Sequence, residues 1–202
     1  MKKRIMKRTS SVLLGVIPVL SIIVMFFTVI FFTESLFASH ASALELTCAN
    51  VKQKVTEAVK KYEAQGDASL PLFKDPKAGF LFGEKIKAKG GQETYTGFIF
   101  IIDINHVMLM HANNPRLEGI DFTGKKDKKG DLFVENYIIK AKKAHHAGGQ
   151  GAWVQYFWPK KKGGKPHKKS SYVQLAVHKD KTVVIGAGIF DVSKEECNNE
   201  TK

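Results

Sequence analysis

Apolar positions along this chain recur with a helical period in two stretches and with a strand period in five others. Between Leu44 and Gln65, Val51, Val55, Ala58, Val59 and Tyr62 trace one face of a helix. Lys52, Lys54, Lys60, Lys61 and Glu63 occupy much of the remainder, and Gly66 supplies a stop. Residues 67–94 are less regular, broken by Pro71, Pro76, Gly79, Gly83 and Gly90-Gly91, which predicts a short helical piece and loops. Strand-like runs follow at Gly97–Asp103 and Val107–His111, with a tight turn around Ile104-Asn105-His106. Residues 113–129 read as loop. Leu132, Phe133, Asn136, Tyr137, Lys140 and Ala141 then predict a second amphipathic helix, ending before Gly148-Gly149. Three strands close the pattern at 151–158, about 168–177 and about 182–190. Lys160–Pro166 and Lys179-Asp180-Lys181 are the predicted hairpin loops. The order predicts an α+β fold, an antiparallel sheet with a long N-terminal helix and a middle helix.

The first 43 residues stand apart. Lys2, Lys3, Arg4, Lys7 and Arg8 form a basic head, and no further charge appears until Glu34. The apolar run of residues 12–32 is long enough to cross a hydrocarbon layer, as an uncleaved anchor would. Ala41-Ser42-Ala43 is a small-residue cleavage pattern, as a signal peptide would carry. Both readings stand, and both export the chain from Leu44 onward. The expected organisation is a signal peptide or anchor at 1–43, a helix and connecting segment at 44–96, a sheet core at 97–192 and a tail at 193–202. Of the 32 Lys and Arg, five lie in the first segment, as does one of the 19 Asp and Glu. The formal net charge therefore falls from +13 to +9 for the exported part. Its lysines cluster at loop-like places, 125–129 and 160–169, without the interleaved aromatics of a nucleic-acid face. Cys48 and Cys197 lie near its two ends and in an oxidising compartment are a plausible disulfide.

Five short motifs in order carry a family signal. Phe98-Ile99-Phe100-Ile101-Ile102-Asp103 opens the sheet, His111 ends the next strand, and Asn114, Pro115, Leu117 and Gly119 shape the following loop. Trp153, Val154, Tyr156 and Trp158 mark an aromatic strand, Lys169, Ser171, Tyr172 and Val173 the next, and Gly186, Gly188 and Ile189 the last. Together they resemble the single-Cache (Cache type 2) family of PAS-like extracytoplasmic sensors. Ala112 stands where that family usually has Pro, and His106 where a turn often has Gly.

The resemblance implies a pocket for a small organic molecule, most often a short carboxylate. The residues agree chemically: Lys169 supplies charge, while His111, Tyr156, Tyr172 and Trp153 supply donors, and aromatics such as Phe100 supply walls. Strand alternation restricts the set. Trp153 and Tyr156 are three apart, as are Lys169 and Tyr172, so each pair splits between faces. Tyr156 and Lys169 are the leading candidates, with Trp153 and Tyr172 second. Asp103 reads better as a turn cap than as a ligand contact. Gly186 and Gly188 make room either for the pocket or for the first helix.

His145 and His146 are adjacent, so they suit a helix C-terminus better than a metal site. The sequence holds no Ser-His-Asp set, zinc motif or phosphate loop, and implies neither a cofactor nor a metal nor an enzyme. The expected protein is a periplasmic small-ligand sensor, soluble or anchored to the inner membrane through residues 12–32. It would act alone or beside a separate signalling partner, since no output domain appears in the sequence. The alternative is a basic structural or adhesive surface protein using the same fold as a scaffold.

Overall fold

The computed structural model describes residues 45–87, 93–161 and 163–202. The apolar run and the cleavage pattern lie outside them. No described helix is long and apolar enough to cross a membrane.

Helix α1 spans Cys48–Gln65 and begins where the Thr47 side chain accepts from the Asn50 backbone N–H. Its predicted apolar face, Val51, Val55, Ala58, Val59 and Tyr62, is the face it buries. A short helix α2, Leu70–Lys74, follows. The next stretch departs from the expectation of loops. Strand β1 (Leu81–Lys87) pairs antiparallel with β2 (Glu93–Phe98) as a separate two-stranded sheet. Most of this hairpin is exposed or half-buried, so the sequence carries no apolar alternation to announce it. It is held instead by its ladder, by a Lys85–Glu93 ion pair at 2.6 Å, and by Thr96 accepting from the Glu84 N–H. The predicted first strand is correspondingly divided at Ile99, Phe98 ending β2 and Phe100 beginning β3 (Phe100–Asp103).

Strand β4 is Met108–His111, helix α3 Phe133–His146, β5 Ala152–Pro159, β6 Pro166–His178 and β7 Lys181–Phe190. These five strands form one antiparallel sheet in the order β4-β3-β7-β6-β5. The turn between β3 and β4 is built as its sequence requires. Asp103 accepts from the N–H groups of Asn105 and Val107, and His106 takes a left-handed φ of 71°.

Residues 194–200, expected within a tail, form helix α4 (Lys194–Glu200), with Ser193 and Glu196 making a reciprocal capping box. Its only buried residue is Cys197, which is bonded to Cys48 across a Cα–Cα distance of 5.1 Å. With a single buried position, this helix offers no periodicity to read.

Two cores result. One face of the sheet packs Ile101, Met110, Ala176, Ile185 and Ala187 against α1, Phe73 and the disulfide. The other packs Ile102, Val154, Val173 and Val184 against Phe133, Val134, Tyr137 and Ile138 of α3.

Candidate functional site

The β5–β6 register decides which candidates meet. Trp153 faces Tyr172 across the ladder, and Tyr156 faces Lys169. Three residues separate the two pairs along each strand, so they project to opposite faces. Trp153 and Tyr172 belong to the α1 face, their rings 5.4 Å apart, with the Trp153 indole N–H donating to Thr201 Oγ1 at 3.3 Å. They line an open groove with Lys52, Gly151 and residues of α4. The split that strand alternation requires is thus seen in the structure, and the second candidates, Trp153 and Tyr172, lie away from the cavity that Tyr156 and Lys169 line.

The other four candidates do converge. His111, Tyr156, Lys169 and Phe100 line a cavity of about 30 Å³ on the α3 face, with Ile102, Met108, Leu117, Phe122, Phe133, Tyr137 and Trp158. Phe122, Phe133 and Tyr137 were not among the sequence candidates. The signal for two of them was the i, i+4 pair that opens the apolar face of α3.

Lys169 is 3% exposed. Among the described residues no carboxylate pairs with its ammonium, which lies 5.0 Å from the Phe98 ring centroid and 4.9 Å from that of Phe190. Such cation–π contacts offset part of the desolvation of a buried charge. Room for the side chain comes from β7. A Cβ on Gly188 would lie 2.6 Å from Lys169 Cε, and one on Gly186 would lie within 2.8 Å of Phe100 Cε2. Both absent side chains thus clear the cavity side of the sheet, rather than the α1 side.

His111 Nδ1 accepts from the Asn114 N–H at 3.0 Å. A neutral ring bonded this way carries its proton on Nε2, leaving that nitrogen a donor. The ring is neutral because its pKa is held down to about 3, by burial first and by the Lys169 charge second. Tyr156 Oη and Ser171 Oγ are 3.2 Å apart. The Tyr137 hydroxyl is pushed well above its usual pKa, chiefly by burial and then by Tyr156, so it stays protonated. The lining polar groups are an ammonium, an imidazole N–H and phenolic hydroxyls. Donors predominate, and none carries negative charge at neutral pH.

The loop beside His111 is fastened without the family's usual proline. The Ala112 N–H donates to Ile99 O at 3.2 Å, a bond proline could not make. Glu118 accepts from the His111 N–H at 3.0 Å and pairs with Lys74 at 2.7 Å, tying the loop to α2. His145 and His146 lie exposed in the last turn of α3. Among the described residues, no three His, Cys, Asp or Glu side chains are placed to hold a metal ion.

Several known proteins are similar to this chain. Methyl-accepting chemotaxis protein McpP of Pseudomonas putida is 33% identical over 100 residues, which is 48% of this chain and 17% of that protein's length. Three solved structures follow a related course. The periplasmic sensor domain of a chemotaxis protein has a TM-score of 0.46 and 22% identity, covering 71% of this chain and 92% of that one. A methyl-accepting chemotaxis protein from Vibrio parahaemolyticus has a TM-score of 0.49 and 18% identity, covering 70% and 86%. A Cache chemosensory domain studied for carboxylic acid recognition has a TM-score of 0.48 and 24% identity, covering 71% and 92%. Residues 84–193, more than half of the chain, match the Cache domain as a family. The chain belongs to the Cache domain family.

Proposed function

We propose that this protein is an exported sensor domain for a short carboxylate, with Lys169, His111, Tyr156 and Tyr137 as the contacts. The observation that carries the reading is the Lys169 ammonium, buried beside a cavity whose lining offers donors and no negative charge. A buried cation without a partner is unfavourable, and a carboxylate would be both its counterion and the acceptor for the neighbouring donors. Phe100 and the other rings would bury the alkyl end. One neighbouring Cache domain is described as recognising carboxylic acids, and the chemotaxis relatives suit a role in signalling. Binding would act by favouring one of two conformations, read by a separate partner.

Thermal-shift screening of residues 44–202 against short acids, amides and amines tests this. An acid at a hundred times its dissociation constant should add about 2.7 kcal/mol of stability. Amines and amides should add nothing, and a panel in which no acid moves the midpoint would refute the proposal.

A basic scaffold for anionic partners is the second reading, and one feature favours it. Lys128 and Lys129 both lie over the Phe157 ring, at 4.1 and 4.9 Å, next to the lysine-rich β5–β6 hairpin. Binding through that exposed surface would collapse with rising salt, whereas occupancy of the Lys169 cavity would change less.

A further inference from the structure

The charge of the ligand is set by Lys169, but its length is set elsewhere in the lining. Phe133 is the hub of the aromatic cluster. Its ring stacks on Tyr156 with centroids 5.1 Å apart and planes 8° apart, and leans on Trp158 at 5.4 Å. It meets Tyr137 and Phe122 edge-on at 5.8 and 6.1 Å. Packed in this way, the cavity keeps about 30 Å³, room for roughly two water molecules. Even acetate needs more, so a wall has to give.

The walls differ in what their movement would break. Phe100, Ile102, Tyr156 and Lys169 stand on paired strands, whose ladder holds their backbones in place. Phe133 is the first residue of α3, and Leu132 before it provides no side-chain cap. The loop leading to it is pinned independently. Asp127 accepts from the N–H groups of Lys129, Asp131 and, across on β5, Phe157 at 2.9 Å. Phe133 can therefore turn by a rotamer change, or by fraying one uncapped helical turn, while both its neighbours stay fixed.

Resting on the carboxylate reading above, the geometry points to Phe133 as the gate and the length stop of this site. Its ring leaves Tyr156 to admit an acid and closes over the end of a two- or three-carbon chain. A longer chain would collide with it.

The test is an intrinsic-fluorescence titration of the full chain with acetate, propionate, butyrate and hexanoate, since Trp158 touches the moving ring. Phe133→Ala and the better-packed Phe133→Leu are compared with the unaltered protein. The unaltered protein should respond to acetate or propionate and not to hexanoate. Burying one methylene is worth about fourfold in affinity. Phe133→Ala should then respond to hexanoate, which the unaltered protein does not, and bind acetate about tenfold less tightly. Phe133→Leu should move the optimum by about one carbon. If all three proteins rank the acids in the same order, the gate is wrong and the carboxylate reading survives. If none responds to any acid, both are wrong.

Discussion

The two faces of the five-stranded sheet are made from alternate residues of the same strands, yet only one gathers buried polar groups around a cavity. On the α1 face, Ile101, Met110, Ile185 and Ala187 join a core sealed by the Cys48–Cys197 bond. On the α3 face, the neighbours of those residues surround Lys169, His111, Tyr137 and Tyr156. Parity along a strand separates the roles. Trp153 and Tyr156 differ in what they can do because they stand three positions apart, an odd offset, and not because of their chemistry. One face is arranged for stability. The other keeps a charge that a hydrocarbon side chain would replace at lower cost, which is what the proposed carboxylate site would require.

Changes confined to one face should leave the other alone. The largest effect belongs to the disulfide: replacing Cys48 and Cys197 together by Ser should cost about 2–5 kcal/mol in denaturant unfolding. Acid affinity should stay within about twofold, because neither cysteine lines the Lys169 cavity. A large loss of affinity would break the separation.

The second effect is a pH dependence on the α3 face. His111 takes a proton near its usual 6.5 in the unfolded chain but only at about 3 when folded. The unfolded state therefore binds more protons within that window, and stability rises with pH across it. The contribution is complete above pH 6.5 and is lost as pH falls toward 3. Thermal midpoints from pH 7 to 4 should drop more steeply for the unaltered protein than for His111→Gln. Parallel curves would remove His111 from the account.

Lys169→Met comes third. It should weaken acid binding about a hundredfold while leaving the melting midpoint level or higher, since a buried charge without a carboxylate partner lowers stability. The smallest effect is expected from Tyr172→Phe on the α1 face, which should change acid affinity by less than about twofold.

Much of this was legible in the sequence because burial and period coincide. The apolar stripe of α1 is the stripe it buries, and the five strands of the large sheet follow the predicted runs. The β1–β2 hairpin and α4 were hidden for the same reason: they bury few residues, and the pattern of apolar positions records little else. The site was half visible. Alternation could split Trp153 from Tyr156 and Lys169 from Tyr172, but which members share a face depends on the β5–β6 register, and which face on the helix that covers it. Phe122 was invisible, because a loop residue enters a cavity through backbone course and not through spacing. The two β7 glycines were ambiguous until Phe100 and Lys169 were seen to fill the space they leave.

The most direct measurement is a crystal structure of the protein grown with propionate. The account predicts a carboxylate on the α3 face, within hydrogen-bonding distance of Lys169 Nζ and His111 Nε2, and an α1 face unchanged. Propionate in the groove beside Trp153 and Tyr172, with the Lys169 cavity still filled by Phe133, would contradict it.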